Sequence, residues 1–335
     1  MSDLTHSNRI TFDEPGVLLP PDVAQQTLIM VNVAYMGEPG GSDWTLVDAG
    51  LPGMAPRILA FARERFGDAP PRTIILTHGH FDHVGALHAL LAAWPGVLVY
   101  APRLELPYLT GRSSYPPPDP TVGGGMMARL SPLYPKGPYD FGDRVRPLPD
   151  DGTVPMRPEW RWVATPGHSP GHVSFFREGD RTLIAGDAFV TQKQESLLGV
   201  LTAAPVLRGP PMYFTPDWTR SRTSVQALAA LRPYVVITGH GQPMGGPDAA
   251  DALAELAADF DARSIPRSGR YVDEPAVTDE SGVVYVPPKT GDEFTKVAIL
   301  GGVVALGVVA LMVANRREAG ERDGSVPSPG TPGEG

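Results

Sequence analysis

Short apolar runs alternate with longer amphipathic segments through residue 260 of the chain. Leu28–Tyr35 and Trp44–Val47 are rich in aliphatic and aromatic residues, and the turn-forming Gly37-Glu38-Pro39-Gly40-Gly41-Ser42 separates them, so both are predicted as strands. Ala55–Phe66 carries apolar residues at helical spacing and is predicted as a helix. A strand at Ile74–Leu76 follows, then a helix over Val84–Trp94 with apolar positions at Val84, Leu87, Leu91 and Trp94, then a strand at Val97–Tyr100. Further on, Trp160–Ala164, Val173–Phe176, Leu183–Ala185 and Val235–Ile237 have the length and apolarity of strands. Trp218–Leu231, ending before Pro233, and Ala249–Phe260 are predicted as helices. This alternation of strand and helix is the pattern of an α/β protein.

Three regions break the pattern. Residues 104–140 include Tyr115-Pro116-Pro117-Pro118-Asp119-Pro120 and Gly123-Gly124-Gly125, which no regular helix or central strand accommodates. Long ordered loops are often functional, and Met126, Met127, Leu130 and Tyr134 are candidates to touch a substrate if this loop covers a site. The alternative is a loop packed elsewhere on the surface. Leu197–Pro216 is a second irregular stretch, with Met212, Tyr213 and Phe214 as a candidate wall. Residues 263–296 turn polar and proline-containing, as a linker does, and separate a domain over 1–262 from Val297–Ala314. That last segment has eighteen residues without a charge, about 27 Å of helix, and is expected to be a single transmembrane helix. Residues 315–335 are expected to form a disordered tail. No apolar run follows a basic start within residues 1–24, so no signal peptide is expected; the domain should be cytoplasmic and membrane-tethered.

The chemistry concentrates where apolar runs end. Of the eight histidines in 335 residues, three fall in His78-Gly79-His80-Phe81-Asp82-His83, just after Thr73–Leu76. Imidazole and carboxylate donors are what first-row divalent metals take, zinc above all. Pro166-Gly167-His168, Gly186-Asp187 and Gly239-His240-Gly241 each follow another strand-like run and present one more donor from a glycine-containing turn. Asp48-Ala49-Gly50 does the same after Trp44–Val47.

In this ordered set the chain resembles the metallo-β-lactamase-fold hydrolases, over about residues 25–260. The resemblance implies a four-layer αβ/βα sandwich. It also implies two metals, one on His78, His80 and His168, the other on Asp82, His83 and His240, with Asp187 bridging them. Two zinc ions are expected per chain, iron or manganese being the other candidates. Such a pair clamps a bridging hydroxide and polarises a scissile carbonyl, with Asp82 and Asp187 as the acids of the catalytic centre. The bridging aspartate places the likeness nearer the glyoxalase II-like and lactonase-like branches than the true β-lactamases. Asp48 is expected to orient a ligating imidazole, His172 to serve a structural or orienting role, and His88 to be a packed or rim residue.

Composition narrows the function further. With 28 basic and 37 acidic residues the chain carries a net charge of −9, a poor basis for gripping nucleic acid. Without cysteine there is no disulfide and no thiolate ligand. The expectation is a membrane-tethered hydrolase of a small-molecule ester, thioester or lactone. Two alternatives stay open: a persulfide dioxygenase-like enzyme holding one iron on His78, His168 and Asp187, and a non-catalytic membrane-anchored binding module.

Overall fold

The computed structural model describes residues 19–192 and 206–289. The uncharged run 297–314 and the tail after it lie outside the described residues, as do His6 and the start of the 197–216 stretch. Among the described residues no helix is long and apolar enough to cross a membrane.

Two six-stranded sheets form the centre. The first runs in sequence order through β1 (Val23–Leu28), β2 (Val31–Met36), β3 (Thr45–Val47), β4 (Thr73–Ile75), β5 (Leu98–Ala101) and β6 (Val145–Pro147). Its β1–β2 and β2–β3 pairs are antiparallel, and the pairs from β3 to β6 are parallel. The second sheet holds β7 (Thr153–Val154), β8 (Arg157–Ala164), β9 (Val173–Arg177), β10 (Thr182–Ile184), β11 (Val235–Ile237) and β12 (Met244–Gly245), also in sequence order.

Strand alternation sorts the side chains into three layers of core, because successive residues of a strand face opposite ways. Val33, Tyr35, Leu46, Ile74 and Val99 point outward to Ile58, Phe61, Phe66, Leu87 and Leu90 on the helices Ala55–Phe66 and Leu87–Ala93. Their neighbours Ala34, Met36, Val47 and Ile75 face Trp160, Phe175, Ile184 and Ile237 of the second sheet. Phe176, Leu183 and Val236 then pack on the helices Trp218–Ala230 and Pro247–Ala258. The result is helix, sheet, sheet, helix. Each fully buried Phe or Leu contributes about 1.5–3 kcal/mol, so the central layer alone is a strong constraint on how the sheets stack.

Local rules account for the elements that position the site. Ala55–Phe66 begins with Pro56 in its first turn, stops at Gly67 (φ 73°), and buries Ile58, Phe61, Ala62 and Phe66 on one face. Trp44 stacks on Phe66 at 4.5 Å between ring centroids. Trp218–Ala230 is capped by Asp217, which accepts the Arg220 N–H at 2.8 Å.

Four expectations differ from the structure. Leu28–Tyr35 is not one strand: β1 ends at Leu28, a two-residue turn at Ile29-Met30 follows, and β2 begins at Val31. Ile29 adopts φ 65°, a value that favours glycine or asparagine, so no turn residue marks the bend. The helix over Val84–Trp94 is divided into Phe81–Val84 and Leu87–Ala93, because the Gly85 N–H leaves the helical ladder for the Gly50 carbonyl at 2.8 Å. The helix over Ala249–Phe260 is displaced and interrupted, running Pro247–Ala258 and then Phe260–Ser264. The stretch from 263 to 289 does not run free as a linker. It packs Tyr271 and, partly, Ile265, Val272, Ala276 and Val286 against the outer core, and it ends in the hairpin β13 (Val277–Asp279) and β14 (Gly282–Tyr285). A few apolar residues spaced along a polar segment are enough to fasten it.

Candidate metal centre

Strand direction gathers the donors. In the first sheet β3 and β4 are parallel, and Asp48 and the His78–His83 loop leave their C-terminal ends. In the second, β9 is antiparallel to both β8 and β10, and β10 is parallel to β11, so β8, β10 and β11 all end on one edge. From those ends come His168, Asp187 and His240.

The donors form three overlapping groups, each with ligand atoms within 4.8 Å of one another: His78, His80 and His168; His78, His83 and Asp187; Asp82, His83 and His240. His80 Nδ1 lies 3.0 Å from His78 Nε2 and 3.0 Å from His168 Nε2. One ring proton cannot serve both contacts, so lone pairs converge there. Three nitrogens held about 2.0–2.1 Å from one tetrahedral ion stand about 3.4 Å apart, close to this spacing. Asp187 Oδ2 lies 3.2 Å from His240 Nε2, 3.4 Å from His168 Nε2 and 3.6 Å from His83 Nε2. Asp187 Oδ1 and His83 Nε2 are buried without any hydrogen-bond partner. Buried polar atoms are almost always satisfied, so orphans here fit a bound cation. Asp82 Oδ2 is 3.4 Å from His240 Nε2, and its side chain is 13% exposed against 3% for the imidazole it faces. The His/Asp groups fit a binuclear metal site.

The rings of His83 and His240 are each turned by a second contact. Asp48 accepts from the Thr77 N–H at 2.8 Å and the Thr77 hydroxyl at 2.8 Å, and faces His83 Nδ1 at 2.9 Å. With its proton on Nδ1, His83 aims the Nε2 lone pair inward. His240 Nδ1 donates to the Met30 carbonyl at 2.6 Å, which is what the unexpected turn at Ile29-Met30 provides. Asn32 completes that tie: its backbone N–H reaches Gly239 O at 2.7 Å and its amide reaches Thr238 O and Gly241 O at 2.8 and 2.7 Å. His172 Nε2 accepts the Asp187 backbone N–H at 2.9 Å, so it holds the Asp187 turn and has no lone pair left for a metal. His88 is exposed beside Phe141, away from the cluster. Gly239 cannot be larger, since a Cβ there would overlap Asp187 Oδ1 and stand 2.8 Å from His83.

Charge divides the cluster in two. Burial first, then neighbouring imidazoles, holds His78 well below the ordinary imidazole value and His80 down to about 3. His168 is lowered likewise, by burial and then His80, against the pull of Asp187. Burial also works to lower His83 and His240, but the carboxylates of Asp187, Asp48 and Asp82 outweigh it and raise His83, as Asp187 and Asp82 do for His240. Asp187 stays well below the usual carboxylate range, since His240 and His83 overcome its burial, whereas burial raises Asp82.

Glu105 is a site residue that sequence reasoning missed. Fully buried, it accepts from the Gly79 N–H at 3.1 Å, the Ser169 hydroxyl at 2.8 Å, the Gly171 N–H at 2.6 Å and the Tyr115 hydroxyl. It thereby ties the His78–His80 loop to the His168 loop. A lone acid between Leu104 and Leu106 was the only signal. The 104–140 loop does lie against the cluster: Tyr115 sits 4.6 Å from His80, and Tyr115, Pro116 and Pro117 line a cleft with His80, His168 and Phe214. Met127 and Tyr134 pack with Tyr213 and Phe214 instead of lining it, and Met126 is exposed.

A family model described as the metallo-beta-lactamase superfamily matches residues 27–240. The Bacillus subtilis (strain 168) protein named "Probable metallo-hydrolase YflN" is 46% identical over 233 residues, 69% of this chain and 88% of that protein. A hydroxyacylglutathione hydrolase of Erwinia tasmaniensis is 31% identical over 121 residues, 35% of each chain. In fold, the chain is similar to the metallo-beta-lactamase family protein TTHA1429 of Thermus thermophilus, with a TM-score of 0.50, 22% identity, and coverage of 73% and 81%.

Proposed function

The chain belongs to the metallo-beta-lactamase superfamily and is a metal-dependent hydrolase, and from that premise we propose that it uses two zinc ions to cleave an uncharged small-molecule ester, thioester or lactone. The observation that carries this reading is the place of Asp187, whose Oδ2 lies within 3.2–3.6 Å of imidazoles from both halves of the cluster. His78, His80 and His168 would hold one ion and Asp82, His83 and His240 the other, with Asp187 shared. When bound, such a pair supplies ionised water at neutral pH and an electrophile for the carbonyl oxygen.

The chain's own residues do the rest. Asp48, Thr77 and the Met30 carbonyl hold the ring tautomers, and Glu105 holds two ligand loops at one separation. Tyr115, Pro116, Pro117 and Phe214 present an uncharged cleft on the His80–His168 side, where they would orient the substrate and exclude water. Asp82 is the more exposed of the two carboxylates, with 13% of its side chain open against 3% for Asp187. Net charge of −9 and this uncharged cleft favour a small molecule over nucleic acid.

Elemental analysis of protein purified without added metal, paired with a panel of ester, thioester, lactone and phosphodiester substrates, tests the reading. Two zincs per chain with ester, thioester or lactone turnover is the expected result. One iron per chain without hydrolysis would replace it with the dioxygenase chemistry. The uncharged run 297–314 supports a membrane tether. Full-length protein found wholly in the soluble fraction would remove the tether.

A further inference from the structure

The cleft beside His80 and His168 has a wall that comes from outside the matched family region. Tyr271 lines it together with Tyr115, Pro117, Phe214 and Pro216, and it belongs to the stretch that follows the last large helix. That stretch grips the cover loop at several points. The Arg270 N–H donates to Asp119 Oδ2 at 2.6 Å, the Tyr271 hydroxyl to the Pro117 carbonyl at 2.5 Å, and the Val283 N–H to the Ser113 hydroxyl at 3.1 Å. Contact at Gly269 is so close that an added Cβ would stand 2.6 Å from Val122 and 2.7 Å from Asp119 Oδ2, with φ at 157°. On its other side the Ala276 N–H bonds Pro216 O at 3.1 Å.

The side-chain hydroxyls of this wall are already committed. The Tyr115 hydroxyl is given to Glu105 and the Tyr271 hydroxyl to Pro117 O, while the prolines have no N–H to offer. Carbon makes up the larger part of what faces the cleft, and no charged side chain lines its Tyr271 wall. A charged group entering it would lose hydration without meeting an opposite charge in this wall, a cost an apolar group does not carry.

We propose that residues 265–289 form a strap that clamps the cover loop over the metal centre, and that Tyr271, carried on it, determines specificity for an uncharged, apolar acyl group. The inference rests on the hydrolase reading for its substrate half only; the clamp is a property of the chain itself.

Both halves are tested in the full-length zinc-loaded protein. 4-Nitrophenyl acetate, butyrate, hexanoate and hemisuccinate are the substrates, and hydrogen exchange at the Asp119 and Thr121 amides reads the cover loop. Wild type should favour butyrate over hemisuccinate by about tenfold or more in kcat/KM, the scale on which apolar pockets discriminate. Tyr271→Ala should shift the hexanoate-to-acetate ratio by about tenfold at unchanged metal content, and Tyr271→Phe, which keeps the ring, should not. Gly269→Val should speed exchange at both amides with metal retained. An acyl-length profile unmoved by Tyr271→Ala overturns the specificity role, and unchanged exchange in Gly269→Val overturns the clamp. If wild type cleaves no ester, thioester or lactone, the hydrolase reading fails and takes the role of Tyr271 with it, while exchange still decides the clamp.

Discussion

Both halves of the metal cluster present buried imidazoles, and those imidazoles behave in opposite ways. His78, His80 and His168 are pressed together, and burial with mutual repulsion keeps all three below the ordinary imidazole value. His83 and His240 are as deeply buried, yet Asp187, Asp82 and, for His83, Asp48 raise them. Neighbouring carboxylates, more than burial, separate the halves. One half is pushed toward its neutral form, with lone pairs ready; the other is pushed toward its protonated form, whose protons a metal displaces.

The sharpest way to break this contrast is to remove the carboxylate between the halves. Asp187→Ala should empty both, and turnover should fall by about 10³-fold or more, the cost of several kcal/mol of lost charge stabilisation. Metal content that stays at the wild-type value would show that Asp187 is not shared. The next test separates the halves: His168→Ala and His240→Ala should each lose about one metal of the pair, from different halves, with activity lost in both. Elemental analysis with competition by a chelator reads which ion remains.

Asp48→Asn should act more mildly, through the tautomer of His83. Metal affinity is expected to fall by about 10–100-fold in the half that contains His83 and far less in the other. Equal losses in both would mean that Asp48 supports the whole edge of the sheet. The smallest effect is on protons. Because His83 and His240 are raised, their protonated forms are favoured in the metal-free protein at pH values above the usual about 6.5. Metal uptake there should release protons and weaken as pH falls through those raised values. His78, His80 and His168 should take metal without proton release down to much more acid pH, since they are already neutral. Calorimetric titration in two buffers of different ionisation enthalpy measures this, and equal proton release for the two equivalents would refute it.

The Asp48 contact to His83 illustrates what residue order makes legible: an acid in a glycine turn after a strand, with a role that follows from where strands end. His172 also kept to a supporting place, since the Asp187 N–H occupies its ring nitrogen. The Met30 carbonyl could not be read, because the turn that exposes it bends at Ile29, a residue type that gives no sign of one. Nor could Glu105, which looks like a solvated acid until two loops from different sheets close over it.

By itself the sequence determined which donors exist and that each leaves the end of an apolar run, because side-chain type and strand periodicity are local properties of the chain. Tertiary structure decided which nitrogens face inward, which half is short of protons, and that Tyr271 joins the wall beside His80. Those outcomes depend on contacts between segments far apart in the chain, and they exist only once the two sheets have packed.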